Sequence, residues 1–98
     1  MKGLQILPEE AIKNKIFVIR GIKVMIDSDL ADLYGIETKR LKEQVKRNLK
    51  RFPEDFMFVL NRNELSYLRS QFATSNRGGS RYYPMALTEQ GVAMFEKA

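Results

Sequence analysis

Seven of the fourteen residues from Thr38 to Arg51, TKRLKEQVKRNLKR, are Lys or Arg, and Glu43 is the one acid among them. Cations at this density suit a polyanion, because each can displace the condensed counterions of a phosphate. Leu41, Val45, Leu49 and Phe52 recur at i, i+4, i+8 and i+11, so a helix over 38–52 would carry them as one apolar stripe. Arg40, Gln44, Arg47 and Arg51 then line one flank, Lys42 lies on the other, and Lys39, Glu43, Lys46 and Lys50 sit opposite the stripe. The Arg and Gln flank has base-reading chemistry, since Arg pairs bidentately with guanine and Gln with adenine. Lysines suit phosphates, because a point charge needs no fixed orientation. Recognition helices insert their N-terminal end first. That assigns Thr38, Lys39, Arg40, Lys42, Glu43 and Arg47 to a groove and Lys46, Lys50 and Arg51 to the backbone, with Gln44 on the reading flank. The same pattern also describes a solvated surface helix. The near exclusion of acids argues for a binding surface.

A second basic stretch, SNRGGSRYY (75–83), brings Arg77 and Arg81 beside Tyr82 and Tyr83, with Gly78-Gly79 allowing close backbone approach. Charge next to aromatic stacking surface suits nucleic acid. The competing reading is a linker whose tyrosines fold into the core. RGGSR has neither the lysine nor the glycine spacing of a phosphate-binding loop. Asp27, Asp29 and Asp32 raise the question of a magnesium site. On a helix 29 and 32 share a face, yet no third acid or lysine joins them, and acids in a first turn already compensate the helix dipole. The chain has no Cys and no His. Thiol catalysis, Cys-based zinc and imidazole acid–base chemistry are therefore excluded. The expectation is a binding module without metal or cofactor, not an enzyme.

The cations need a scaffold. IFVIRGIKVMI reads as a β-hairpin, Ile16–Ile19 and Ile22–Ile26, turning at Arg20-Gly21. DSDLADLYG follows with N-cap formers and acids at its start and Gly35 at its end, which predicts a helix. The basic helix comes next, and Pro53 stops it. Two helices around Gly35, with small Ala31 four residues before it and Leu30, Tyr34, Ile36 and Leu41 sealing the contact, have helix-turn-helix spacing. Gln44 departs from that pattern, Val45 supplying the apolar residue instead. FMFVL (56–60) reads as a buried strand. Asn61 and Glu64 have capping-box spacing for a helix to about Thr74. RYYPMAL reads as a strand that Pro84 places at an edge. Thr88 caps a last helix, in which Gly91 reads as a packing contact. Phe56, Phe58, Phe72 and Phe95 are expected in the core. The fold class is α+β: a small single domain with a helix-turn-helix-like core, a β-hairpin and short strands.

The 98 residues hold 17 Lys and Arg against 12 Asp and Glu, a net charge of +5. The charge is uneven: Asp27, Asp29, Asp32 and Glu37 give residues 27–37 a charge of −4, whereas 38–52 carry +6 and 65–82 carry +3. No apolar run approaches the ~20 residues of a membrane helix, and the N-terminus has no signal-peptide core, so no membrane partner and a cytoplasmic location are expected.

DLADLYGIETKRLKEQVKRNLKRFPEDFMFVL and LRSQFATSNRGGSRYYPMALTEQGVAMF closely resemble the phage ORF-six-N domain, a relative of KilA-N. The likeness runs from about Ile16 to Phe95 and rests on Leu30-Ala31 with Leu33-Tyr34-Gly35, VKRN (45–48), RFPEDFMF (51–58), the Gly-Gly pair and LTEQG (87–91). Leu87 departs from it, the family more often having an aromatic there. The resemblance implies a DNA-binding module of phage, prophage and bacterial proteins, often antirepressor-like or regulatory, and supplies no catalytic residue. It divides the chain into an N-terminal segment, 1–15, and the domain, 16–98. It also implies an N-terminal position in a longer protein; a single helix-turn-helix domain often needs dimerisation for affinity, and the C-terminal region could supply a homodimer. The expected partner is double-stranded DNA. A protein-interaction or dimerisation module with a basic surface is the alternative.

Overall fold

A computed structural model describes residues 15–70 and 83–97. Strand β1 (Ile16–Ile19) pairs antiparallel with β2 (Ile22–Ile26), Ile16 opposite Met25 and Ile19 opposite Ile22. The two residues between them are both left-handed, Arg20 at φ 58° and Gly21 at φ 72°. This is the primed hairpin turn whose twist matches that of the strands. The expected hairpin is present, with a side chain other than Gly at one left-handed position.

The chain continues from β2 directly into helix α1 (Asp27–Tyr34). Gly35 ends α1 at φ 68°. Its N–H donates to the Asp32 carbonyl and that of Ile36 to the Ala31 carbonyl, a Schellman closure that only a residue free to take positive φ makes cheaply. Helix α2 (Thr38–Arg47) follows.

The expected helix over 38–52 does not reach Phe52. It ends at Arg47, and after Asn48 a short 3-10 turn, Leu49–Arg51, completes the segment. Two local causes are visible. The Asn48 side chain donates to the Gln44 carbonyl at 2.9 Å, competing with backbone continuation. Pro53 disfavours a helical Phe52, which stands at φ −122°, ψ 69°. The apolar stripe breaks as a result: Leu41, Val45 and Phe52 are buried, but Leu49 is 56% exposed.

Strand β3 (Met57–Val59) and helix α3 (Arg62–Ser70) come next, then β4 (Met85–Thr88) and α4 (Glu89–Lys97). The capping box of α3 forms as expected: the Glu64 N–H donates to Asn61 Oδ1, and the Asn61 N–H to Glu64 Oε1, each at 2.9 Å. Its expected extension to Thr74, and Phe72, lie outside the described residues. Thr88 caps α4, its Oγ1 accepting from the Gly91 N–H.

The four strands form one antiparallel sheet in the order β1-β2-β4-β3. The edge position expected for the strand after Pro84 is therefore wrong: β4 is central. Pro84 lies just before the ladder, so its missing N–H deprives no strand of a bond, and its carbonyl accepts from Leu60. Side chains alternate across the sheet and build a core on each face. Ile16, Met25, Leu87 and Met57 align in register and meet Leu30, Ala31, Leu41, Val45 and Phe95 from α1, α2 and α4. Val24, Ile26, Ala86 and Phe58 face the other way, toward Leu65 and Leu68 of α3. Phe58 and Phe95 are buried, as expected, and Phe56 is half-buried against the cluster that holds Phe95.

Candidate nucleic-acid interface

The basic helix is held from below by its apolar residues. Leu41 and Val45 are fully buried with Leu30 and Ala31 of α1, each large side chain contributing about 1.5–3 kcal/mol of burial. Tyr34 stacks at a tilt on Phe95, ring centroids 5.7 Å apart, and its hydroxyl donates to Glu96. Burial first, and Glu96 second, push the Tyr34 phenol above its ordinary pKa. Ile36, expected inside the contact, lies at the surface.

An ionic latch fixes the same helix at one flank. Asp27 is 2% exposed at the head of α1. Its Oδ1 accepts from the Ser28 N–H and its Oδ2 from the Met85 N–H at 3.0 Å, tying α1 to the sheet. Lys42 Nζ stands 3.8 Å from that Oδ2. Burial lowers the Lys42 pKa, and Asp27 acts against this. Lys42, assigned to a groove by its place on the wheel, is therefore turned toward the interior. Position could have signalled this, because Lys42 borders the apolar stripe on the side away from the arginines.

The remaining cations point outward. Lys39, Arg40, Lys46 and Arg47 on α2, and Lys50 and Arg51 on the 3-10 turn, are all exposed. None of the six forms an ion pair with another described residue. Glu43 is exposed among them, while Thr38 and Gln44 are half-buried at the margins. Because α2 ends at Arg47, Arg51 does not extend the Arg40 and Arg47 row, and Lys50 does not extend that of Lys39 and Lys46. Arg77 and Arg81 lie outside the described residues; Tyr83 is exposed.

A second tie was not visible in the sequence. Arg20, at the hairpin turn, donates from Nε and Nη2 to both oxygens of Glu64, at 2.7 and 3.2 Å, with its guanidinium 4.0 Å from the Phe58 ring centroid. Glu64 thus serves the cap of α3 and the hairpin together. The Arg20 hydrogen bonds hold its carboxyl below the ordinary carboxylate pKa.

The three aspartates that raised the question of magnesium are separated in role. Asp27 serves the latch, buried Asp29 has Lys15 Nζ at 3.9 Å, and Asp32 is exposed. Among the described residues no group of three or more acids is gathered where it could hold a metal ion, and no helix is long and apolar enough to cross a membrane. No curated protein and no solved structure matches the chain. The sequence pattern of one family does, over residues 14–98: the chain belongs to the ORF6N domain family.

Proposed function

We propose that the domain is a double-stranded DNA-binding module of a phage- or prophage-type regulatory protein, acting without catalysis. The observation that carries this reading is the outer face of α2 and its 3-10 turn. Six exposed cations, none paired with a described residue, stand there: four on a helix whose other side is locked into the core and two on the turn that follows it. The backbone that carries the four helical cations is already ordered, so binding has only their side chains to fix, and a helix seated behind a preceding helix presents its outer face to a major groove. Membership of the ORF6N domain family supports the same reading.

Lys46, Lys50 and Arg51 supply phosphate contacts, and Lys39, Arg40 and Arg47 enter the groove, where the arginines reach base edges. Engaging about five phosphates gives a slope of log affinity on log salt near −4 to −5. The test is fluorescence anisotropy with a labelled duplex at several salt concentrations. Replacing Arg40, Lys46, Arg47 and Lys50 together by Ala is expected to abolish binding and leave the fold intact, since all four are exposed. A variant that folds and binds as before would show that the face is wrong. A protein that ignores duplex DNA yet forms a stable dimer by light scattering would favour the interaction-module reading instead.

A further inference from the structure

Glu43 stands in the middle of the cationic face. Lys39, Arg40, Lys46 and Arg47 lie four and three residues before it and three and four after it. Those are the four positions that an α-helix brings closest to any side chain. All five side chains are exposed. Glu43 nevertheless forms no ion pair or hydrogen bond with a described residue. Arg47 lies within its reach, since Glu placed four residues before a cation is the favoured orientation on a helix. The gain from such an exposed pair is small, only about 0.3–0.5 kcal/mol, so the carboxylate is easily drawn to a better donor. On a surface that binds phosphates a negative charge opposes the main attractive term. What a carboxylate offers DNA is an acceptor for the cytosine N4 amino group in the major groove.

We propose that Glu43 is a specificity-determining residue of α2, reading the amino group of a cytosine while the cations around it hold the flanking phosphates and bases. This rests on the DNA-binding reading above. Its location fits that role, since Glu43 lies within α2 on the side opposite buried Leu41 and Val45, flanked by an Arg on one side and a Lys on the other.

The experiment is selection from a randomised duplex library with the wild-type protein, Glu43→Ala and Glu43→Gln, each first checked for an unchanged circular dichroism melt. The wild type is expected to select a motif containing a fixed G·C pair. Glu43→Ala is expected to lose the preference at that pair and bind the selected site roughly tenfold more weakly. It should bind a random duplex severalfold more tightly, because a negative charge has left the surface. Glu43→Gln is expected to shift the preference at that pair toward adenine, which Gln reads bidentately. An identical motif from wild type and Glu43→Ala would overturn the assignment and leave the DNA-binding reading standing. So would duplex binding by the wild type with no motif at all. Absence of any duplex binding by the wild type would overturn both.

Discussion

Gly91 tests how tightly α4 is seated on the sheet. A Cβ added there would lie 1.9 Å from the Phe56 carbonyl oxygen and 2.9 Å from its carbon. Ordinary contact begins near 3.4 Å, so helix and carbonyl would have to part by about 1.5 Å. The obstacle is backbone and cannot rotate away. The Phe56 carbonyl also accepts from the Thr88 N–H at 2.9 Å and faces Thr88 Oγ1 at 3.2 Å, so moving it weakens the cap of α4. Overpacking of this kind costs about 1–3 kcal/mol, and a lost backbone hydrogen bond about another 1 kcal/mol. Against this, Ala in place of Gly within a helix gains about 1 kcal/mol. The clash wins: Gly91→Ala is expected to destabilise the domain by about 2 kcal/mol, which for this size lowers Tm by roughly 8–16 °C. Thermal unfolding followed by circular dichroism measures it. Exposed Ala93 on the same helix is the comparator, where Ala93→Gly should cost only about 1 kcal/mol. A Gly91→Ala protein as stable as the wild type, or more so, would refute the close approach of α4 to Phe56.

Three further outcomes are expected. Leu41→Ala should cost about 2–5 kcal/mol and Leu49→Ala under about 0.5 kcal/mol in chemical denaturation, because only Leu41 is buried; equal costs would restore the continuous helix. Lys42→Met should lower stability by about 1–2 kcal/mol, its pair with Asp27 being partly screened, and leave duplex affinity unchanged in the anisotropy assay. A large loss of affinity with stability intact would return Lys42 to the groove. Glu64 has its folded pKa below the ordinary value of 4.5, so its stabilising contribution is complete above that range and is lost as pH falls through the folded value. Glu64→Gln should therefore be less stable at neutral pH and show a shallower fall in Tm below about pH 4.5 than the wild type; parallel acid limbs would contradict the Arg20 tie.

Four local signals survived into the structure, whereas the N-cap formers read at the start of α1 did not: its N-cap is Ile26, with no side-chain cap. The Arg20-Gly21 turn, Gly35, the Asn61 and Glu64 box and the Thr88 cap are each satisfied within a few residues, and each is formed. The failures needed distant residues or competing local ones. Pro84 resembles an edge proline until the ladder is known to start one residue later. The stripe from Leu41 to Phe52 has perfect helical spacing, and periodicity alone carries no sign that the Asn48 side chain takes the Gln44 carbonyl. Lys42 is one cation among seven on paper, and its burial depends on Asp27 and on the sheet end at Met85. The Arg20 and Glu64 pair spans 44 residues and leaves no trace in spacing. The outward set of Lys39, Arg40, Lys46 and Arg47 was legible because all four lie within the part of the helix that forms.

Contact between the outer face of α2 and duplex DNA can be read residue by residue in an NMR titration of isotope-labelled protein with a random-sequence duplex at two salt concentrations. Salt-sensitive shifts are expected to concentrate on Lys39, Arg40, Glu43, Lys46, Arg47, Lys50 and Arg51, with Lys42 and the α3 face of the sheet unmoved. Unchanged spectra at low salt, or shifts confined to another surface, would contradict it.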